Sequence, residues 1–427
     1  MSIVTTTEPT TEGGTSTAVI TSWKVPVILG VFTVIAGVLF LALSRGPESS
    51  TFRLSTPSDA IQLPEIVLPT MATCIVITLL LAALTGFAAW TVAQKRRVPL
   101  WVSVVFAVLF LIGFLTWAGA GASLPIYGLL IGTVSLSVPL IFGALGGVIS
   151  ERVGVVNIAI EGQLLAGAFA SAVIASITGN PYAGLLGAAV AGVLVSFVLA
   201  AFAIKYLVDQ VIVGVVLNVL VTGLTSFLFS QVLSQDPSAL NNPPRFERIA
   251  IPFLSEIPII GPMLFRQTMI VYFMYVAVFL VWFCLFHTKW GLRLRAVGEH
   301  PKAADTVGIK VNKLRFWNVS LAGAIVGFGG AYFTLGSVGA FNKEMTAGLG
   351  FIALAAVIFG RWDPIKATLA ALLFGFASNL QSVLGIIGSP VPSEFMLMLP
   401  YIITIFAVAG LVGISRAPAA SGKPYIK

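Results

Sequence analysis

The sequence predicts an all-α integral membrane protein, a polytopic helical bundle of roughly 10–12 transmembrane spans with a short cytoplasmic helix between two of them. Three observations carry that prediction. Hydrophobic residues make up 58% of the 427-residue chain and charged residues only 9%, against about 25% charged in a soluble domain. Mean hydropathy is +1.01, and the apolar runs reach the roughly 20 residues that a helix needs to cross a bilayer. None alternates as a membrane barrel strand does.

The elements follow in chain order. Residues 1–24 are rich in Thr, Ser and Gly and lack the basic start and cleavage pattern of a signal peptide, so they read as a disordered cytoplasmic tail. Val25–Ser44 crosses outward, Leu68–Ala93 returns to Lys95, Arg96 and Arg97, and Leu100–Ala118 goes out again. Leu129–Val148 comes in, Val155–Thr178 goes out to a Gly179-Asn180-Pro181 turn, and Ala183–Tyr206 comes back. Val211–Leu233 leads to the longest external loop, Ser234–Gln267, and Thr268–Phe286 re-enters. Trp317–Leu335 exits, Leu349–Gly360 is too short to cross cleanly at about 1.5 Å per residue, and Ile365–Ile387 and Phe395–Val412 close the bundle. Arg361, Trp362 and Asp363 read as an interfacial anchor. Composition divides the chain: 25–120 supplies additional plain hydrophobic helices, 121–415 is a Gly-rich core carrying the buried polar candidates, and 416–427 is a cytoplasmic tail.

Charge fixes orientation. Of the net +8, one cluster is Lys95–Arg97 and another is Lys289, Arg293, Arg295, Lys302, Lys310, Lys313 and Arg315. The positive-inside rule places both in the cytoplasm, and the span count puts both on one side. Orientation and contact with anionic membrane lipids account fully for the first cluster. They leave one feature of the second unexplained. Within the basic loop Trp290–Arg315, Pro301 can open a helix, Ala303 and Ala304 extend it, and Gly308 can stop it in a left-handed conformation. About two turns of helix have no reason to be stable alone in water, so the helix is expected to dock on a soluble partner.

Inside the apolar spans, Glu161 is the main functional candidate, because a carboxylate at membrane depth must be protonated, paired or facing water. Asn157, four residues earlier, is expected on the same helix face. Two roles fit this pair: lining or gating a path, or fixing helix packing. Gly162 and Asn218 join them as path or gate candidates, while Asn218, Asn379 and Gln381 each also suit an interhelical hydrogen bond. The Gly348-Leu-Gly350 break resembles the Gly-interrupted start near Glu161, as paired broken helices of transporters do.

Absences narrow the class. The sequence contains no GxxxxGK[ST], HExxH or GxSxG motif. His287 and His300 make no metal set, and Cys74 and Cys284 read as reduced core residues. The chain is therefore expected to be non-catalytic and to bind no cofactor. With Glu161 nearly alone as a buried carboxylate, a separate energy-supplying partner fits better than self-contained ion coupling.

Three segments then carry a family resemblance. Gly291–Ile309 (GLRLRAVGEHPKAADTVGI) looks like the cytoplasmic coupling loop of ABC-type import permeases. Gly146–Gly162 (GGVISERVGVVNIAIEG), and Asp209–Asn218 followed by Gly223–Ser226, resemble the nucleoside and simple-sugar group of the ribose/branched-chain amino acid permease superfamily. The resemblance runs from about Ile126 to Ile414. It implies a permease forming half of a translocation path, best matched to nucleosides, with a ribose-type simple sugar as the alternative and a stand-alone secondary transporter as a further one. It also implies several partners: an ATP-binding subunit (in this group often a fused double ATPase), a second, paralogous permease and an extracytoplasmic substrate-binding lipoprotein. No nucleic acid is expected. ATP would sit on the partner. The expected location is the bacterial plasma membrane, with both termini cytoplasmic. Residues carried over as coupling positions are Gly298, Glu299, Pro301, Ala303, Ala304 and Gly308. The three N-terminal spans depart from the usual pattern.

Overall fold

The computed structural model describes residues 22–43, 48–55, 59, 61–388, 394–395, 398 and 416–426. Most of the 1–24 tail and nearly all of the expected Phe395–Val412 span lie outside the described residues. Among the described residues, ten helices are long and apolar enough to cross a membrane. The chain is thus an all-α, multi-pass membrane protein. It divides into two compact units, Met1–Ser50 with Val67–Ala122, and Thr51–Ile66 with Ser123–Lys427.

The first unit holds α1 (Lys24–Gly37, running on to Ala42), α2 (Thr70–Ala93) and α3 (Leu100–Ala118). Most of their surface faces outward and is apolar, as lipid contact requires. Inside the unit, Gly113 makes room for the Phe40 ring. Thr33 and Thr85 share a 2.8 Å hydroxyl contact, and the Trp117 indole donates to the Leu43 carbonyl at 3.0 Å.

The second unit begins with α4 (Ile126–Arg152), α5 (Ile160–Thr178), α6 (Pro181–Ala200, continuing to Lys205) and α7 (Gln210–Leu228, continuing to Leu233). The short α8 (Pro237–Leu240) and α9 (Ile260–Phe265) follow, then α10 (Met269–His287), α11 (Lys289–Glu299) and α12 (Pro301–Thr306). It ends with α13 (Val311–Ala331, continuing to Ser337), α14 (Leu349–Phe359) and α15 (Pro364–Ile386). Polar side chains start several of these helices. Asn180 accepts from Tyr182 N–H at 2.9 Å, Asp209 from Val211 and Ile212 at 2.8 and 3.1 Å, and Asp363 from Ile365 and Lys366 at 3.0 and 3.1 Å. Each satisfies N–H groups that a helix start leaves unpaired.

Two expectations are corrected here. The Trp290–Arg315 stretch is mostly helical rather than a loop: α11 fills its first half, with Leu294 and Val297 buried. The Ser234–Gln267 segment, expected as an external loop, is more than a loop as well. Arg248–Ala250 pairs antiparallel with Arg266–Thr268, and the Tyr272 hydroxyl donates to the Ile249 carbonyl at 2.8 Å. A further short parallel pair joins Thr51–Arg53 to Ser123–Pro125.

At the centre of the unit α4 packs on α13. The α13 helix also packs on α5 and α6, while α4 also packs on α14 and α15. The triplets α4–α5–α6 and α13–α14–α15 therefore exchange roles about the α4–α13 contact. The two central helices run oppositely, with Phe142 against Gly329 and Gly154 against Arg315. Inverted repeats of this kind put their working site at the repeat interface. Close approach comes from glycine: a Cβ on Gly327 would strike the Ala188 carbonyl and Gly192, and one on Gly192 would strike the Gly323 carbonyl. Gly327→Ala is accordingly expected to push α13 off α6 and cost roughly 1–3 kcal/mol, as overpacking does. A thermal unfolding midpoint in detergent that falls by several degrees checks it.

Candidate functional site

The path candidates Asn157, Glu161, Gly162 and Asn218 converge at the N-terminus of α5, whereas Asn379 donates to the Leu129 carbonyl near the start of α4 at 2.6 Å. The Gly154 turn, at φ +92, ends α4, and residues 155–159 run to α5 without helical structure. Asn157 therefore sits in this connection, not on the Glu161 helix face as expected. Its amide donates to Gln163 Oε1 at 3.0 Å, and Gln163 Nε2 reaches Ser196 Oγ at 2.9 Å on α6. Asn218 bridges from α7: its Oδ1 accepts from Gly162 N–H at 2.8 Å and its Nδ2 donates to the Ile158 carbonyl at 2.9 Å. Gln210 Oε1 accepts from Val156 N–H at 2.7 Å. These residues satisfy the non-helical backbone between α4 and α5, which a buried connection requires.

Glu161 ties this knot to the other repeat. Its Oε1 accepts from Thr346 Oγ1 at 2.6 Å and from Gly348 N–H at 2.9 Å, and its Oε2 accepts from Gly350 N–H at 2.6 Å. The carboxylate thus caps α14, where unpaired N–H groups and the positive end of the helix dipole favour an anion. Gly348 has φ +84, and a Cβ on Gly350 would collide with the Glu161 backbone, so the approach requires glycine. The 11 residues of α14 rise only about 16 Å, roughly half a bilayer core. Glu161 therefore ties the start of α5 to the start of the short α14.

At the other end of α14, the buried Glu151 carboxylate accepts from the Trp362 indole at 2.5 Å, and Arg152 Nε donates to the Trp362 carbonyl at 2.9 Å. Trp362 is 5% exposed, so the interfacial anchor expected at Arg361–Asp363 is instead a buried peg. An indole N–H needs an acceptor, and Glu151 supplies one. Arg361 and Trp362 both hold positive φ, 54 and 55, a tight reversal that pins the start of α15 to the end of α4.

The coupling candidates lie at this same end and separate into two groups. Gly298 is buried against the Arg152 carbonyl. Its own carbonyl accepts from Ala420 N–H at 2.9 Å, and Glu299 accepts from Ala419 N–H at 3.2 Å. Arg315, grouped from sequence with the cytoplasmic basic cluster, is 2% exposed and donates to the Lys423 carbonyl at 2.9 Å. Gly298, Glu299 and Arg315 thus hold residues 419–423; Gly298 and Arg315 are buried, while Glu299 remains exposed. On α12, Pro301 is half-buried and Ala304 is buried at 4%. The alanine face is accordingly split, with Ala304 turned into the protein. Lys302, Ala303, Thr306, Val307 and Gly308 are exposed, and Gly308 takes φ +85. Sequence reasoning missed Gln163, Ser196, Gln210 and Thr346, and assigned Trp362 to the membrane interface. Of these, Gln210 lies inside the Asp209–Asn218 segment that carries the resemblance, and Gln163 directly follows the Gly146–Gly162 segment.

A family model described as "Branched-chain amino acid transport system / permease component" matches residues 129–408, leaving α1–α3 outside the match. The chain is 42% identical over 308 residues to the guanosine ABC transporter permease protein NupQ of Bacillus subtilis, covering 69% of this chain and 95% of that protein. It is 41% identical over 303 residues to the nucleoside ABC transporter permease protein NupC of Lactococcus lactis, covering 68% and 94%. It is 37% identical over 258 residues to the putative glucose ABC transporter permease protein TsgC13 of Haloferax volcanii, covering 60% and 77%. No solved structure matches the chain.

Proposed function

Because the chain belongs to the family of branched-chain amino acid transport system permease components, we propose that it is the transmembrane subunit of an ATP-binding-cassette importer for nucleosides. The observation that carries the substrate class is its likeness, at 42% and 41% identity across 95% and 94% of their lengths, to permeases named for guanosine and nucleosides. A glucose-named relative is more distant at 37%, which keeps a simple sugar as the second reading. In this proposal the chain is non-catalytic and holds no cofactor. ATP is bound and hydrolysed by a separate subunit, cargo arrives on an extracytoplasmic lipoprotein, and a paralogous permease completes the path. The protein sits in the bacterial plasma membrane with both ends in the cytoplasm.

The mechanism rests on two linked elements. A helix of six residues such as α12 has no stability of its own. It is held from behind by Ala304 and from before by α11, with one face left for the ATPase. Movement imposed on α12 reaches α4 through the Gly298–Arg152 contact. From there it passes through Glu151 and Trp362 to α14, and along α14 to Glu161. Residues on the path need not contact ATP for the path to respond to it.

Reconstitution tests the proposal. The chain, its sister permease, the ATPase and the binding protein in liposomes are expected to accumulate guanosine and adenosine only with internal ATP, and ribose or glucose far less. Ion-gradient-driven uptake by this chain alone would overturn the reading, and preference for sugar would move it to the alternative.

A further inference from the structure

Where α12 ends and α13 begins, a groove of about 610 Å³ opens, lined by Arg293, Lys310 and Lys313 together with Val307, Leu314 and Trp317. Among the described residues, no acidic side chain lines it. The three cations are exposed and Trp317 is 57% exposed. Three like charges converging on one concavity repel each other, and an anion placed between them removes that penalty. The first turn of α13 contains no acidic residue and its start receives no side-chain cap, so its N–H groups add to the positive potential without being the source of it.

The groove's direction identifies its occupant. Trp317 lies seven residues beyond Lys310, about 10 Å further along the helix, on a span that continues outward with Leu321 44% exposed. A groove that is cationic at the span's end and apolar along its membrane face is two-part. A soluble protein can reach the first part but not the second. We propose that this groove binds an anionic phospholipid, its headgroup phosphate among Arg293, Lys310 and Lys313 and its acyl chain along Leu314, Trp317 and Leu321. Basic pockets beside transmembrane helices bind such headgroups, and an indole at the interface suits their glycerol level. Because Val307 and Gly308 also line the groove, the lipid would brace the end of α12. This inference concerns a lipid site and stands whether or not the cargo is a nucleoside.

Fluorescence quenching tests it. The full chain is placed in nanodiscs containing either brominated phosphatidylglycerol or brominated phosphatidylcholine, and the Trp317 signal is taken as the difference from Trp317→Phe. The expected result is half-quenching at a roughly tenfold lower mole fraction of the anionic lipid, unaffected by excess inorganic phosphate. Arg293→Gln/Lys310→Gln/Lys313→Gln should erase the preference without shifting the thermal midpoint, while Lys310→Arg/Lys313→Arg should keep it. Equal quenching by both lipids, displacement by inorganic phosphate, or a preference that survives the triple Gln variant would each overturn the proposal. So would a Trp317 signal that becomes inaccessible to both bromolipids once the partner ATPase is bound, since a protein would then be the occupant.

Discussion

Glu161→Gln is expected to abolish most ATP-driven uptake and to lower the unfolding midpoint of the purified chain. The wild-type carboxylate accepts from Thr346, Gly348 and Gly350 at 2.6, 2.9 and 2.6 Å. Bonds to a charged acceptor are worth about 1.5–3 kcal/mol each. A Gln carbonyl can replace one oxygen, but its NH2 then faces a donor, leaving at least one buried N–H or hydroxyl unpaired. The loss should be roughly 2–4 kcal/mol of stability, concentrated where α14 starts. Glu161→Asp should fail in the same direction, since a side chain one methylene shorter cannot span the Thr346 and Gly350 donors together. Uptake assays beside thermal unfolding check this, and wild-type values for both in Glu161→Gln would remove the clamp from the account.

Ala304→Asp should uncouple ATP hydrolysis from uptake. The residue is 4% exposed on the inner side of α12, so the substitution buries an unpaired carboxylate, a cost of several kcal/mol that the helix escapes by lifting away. Hydrolysis by the partner should continue at a basal rate with little response to cargo, while uptake falls by about an order of magnitude or more. Ala303→Asp provides the contrast. Ala303 is exposed, so its variant should leave the unfolding midpoint unchanged and weaken only attachment of the ATPase. Measuring hydrolysis, uptake and midpoint on both variants separates loss of the helix from loss of its docking face. If Ala304→Asp couples normally, α12 is not the transmission element.

The long apolar runs made the helical class legible, because about 20 uninterrupted apolar residues admit few other structures. The break at Gly348-Leu-Gly350 was equally visible, and α14 starts at Leu349. What stayed hidden was tertiary. Asn157 and Glu161 are separated by four positions, which on a continuous helix means one face, but α5 begins only at Ile160. The Gly154 turn moves Asn157 to the connection, where its partner is Gln163. Likewise nothing local distinguishes Arg315 from the other cations of its segment. Its burial depends on residues 416–426 returning from more than a hundred positions away. Trp362 beside Arg361 and Asp363 has the composition of an interfacial anchor, and only the neighbouring Glu151 turns it inward. The alanines of α12 illustrate the same limit. Period alone says that Ala303 and Ala304 point differently, not which of them faces the protein.

Crosslinking at Val307 tests the central claim most directly. With Cys74 and Cys284 replaced, Val307→Cys places one thiol on the 74%-exposed residue at the end of α12. In the intact assembly a short thiol-to-amine crosslinker should join it to the ATP-binding subunit, and the yield should change when ATP is trapped there. A thiol in the same assembly that reacts only with lipid or soluble reagents, and never with that subunit, would contradict the account.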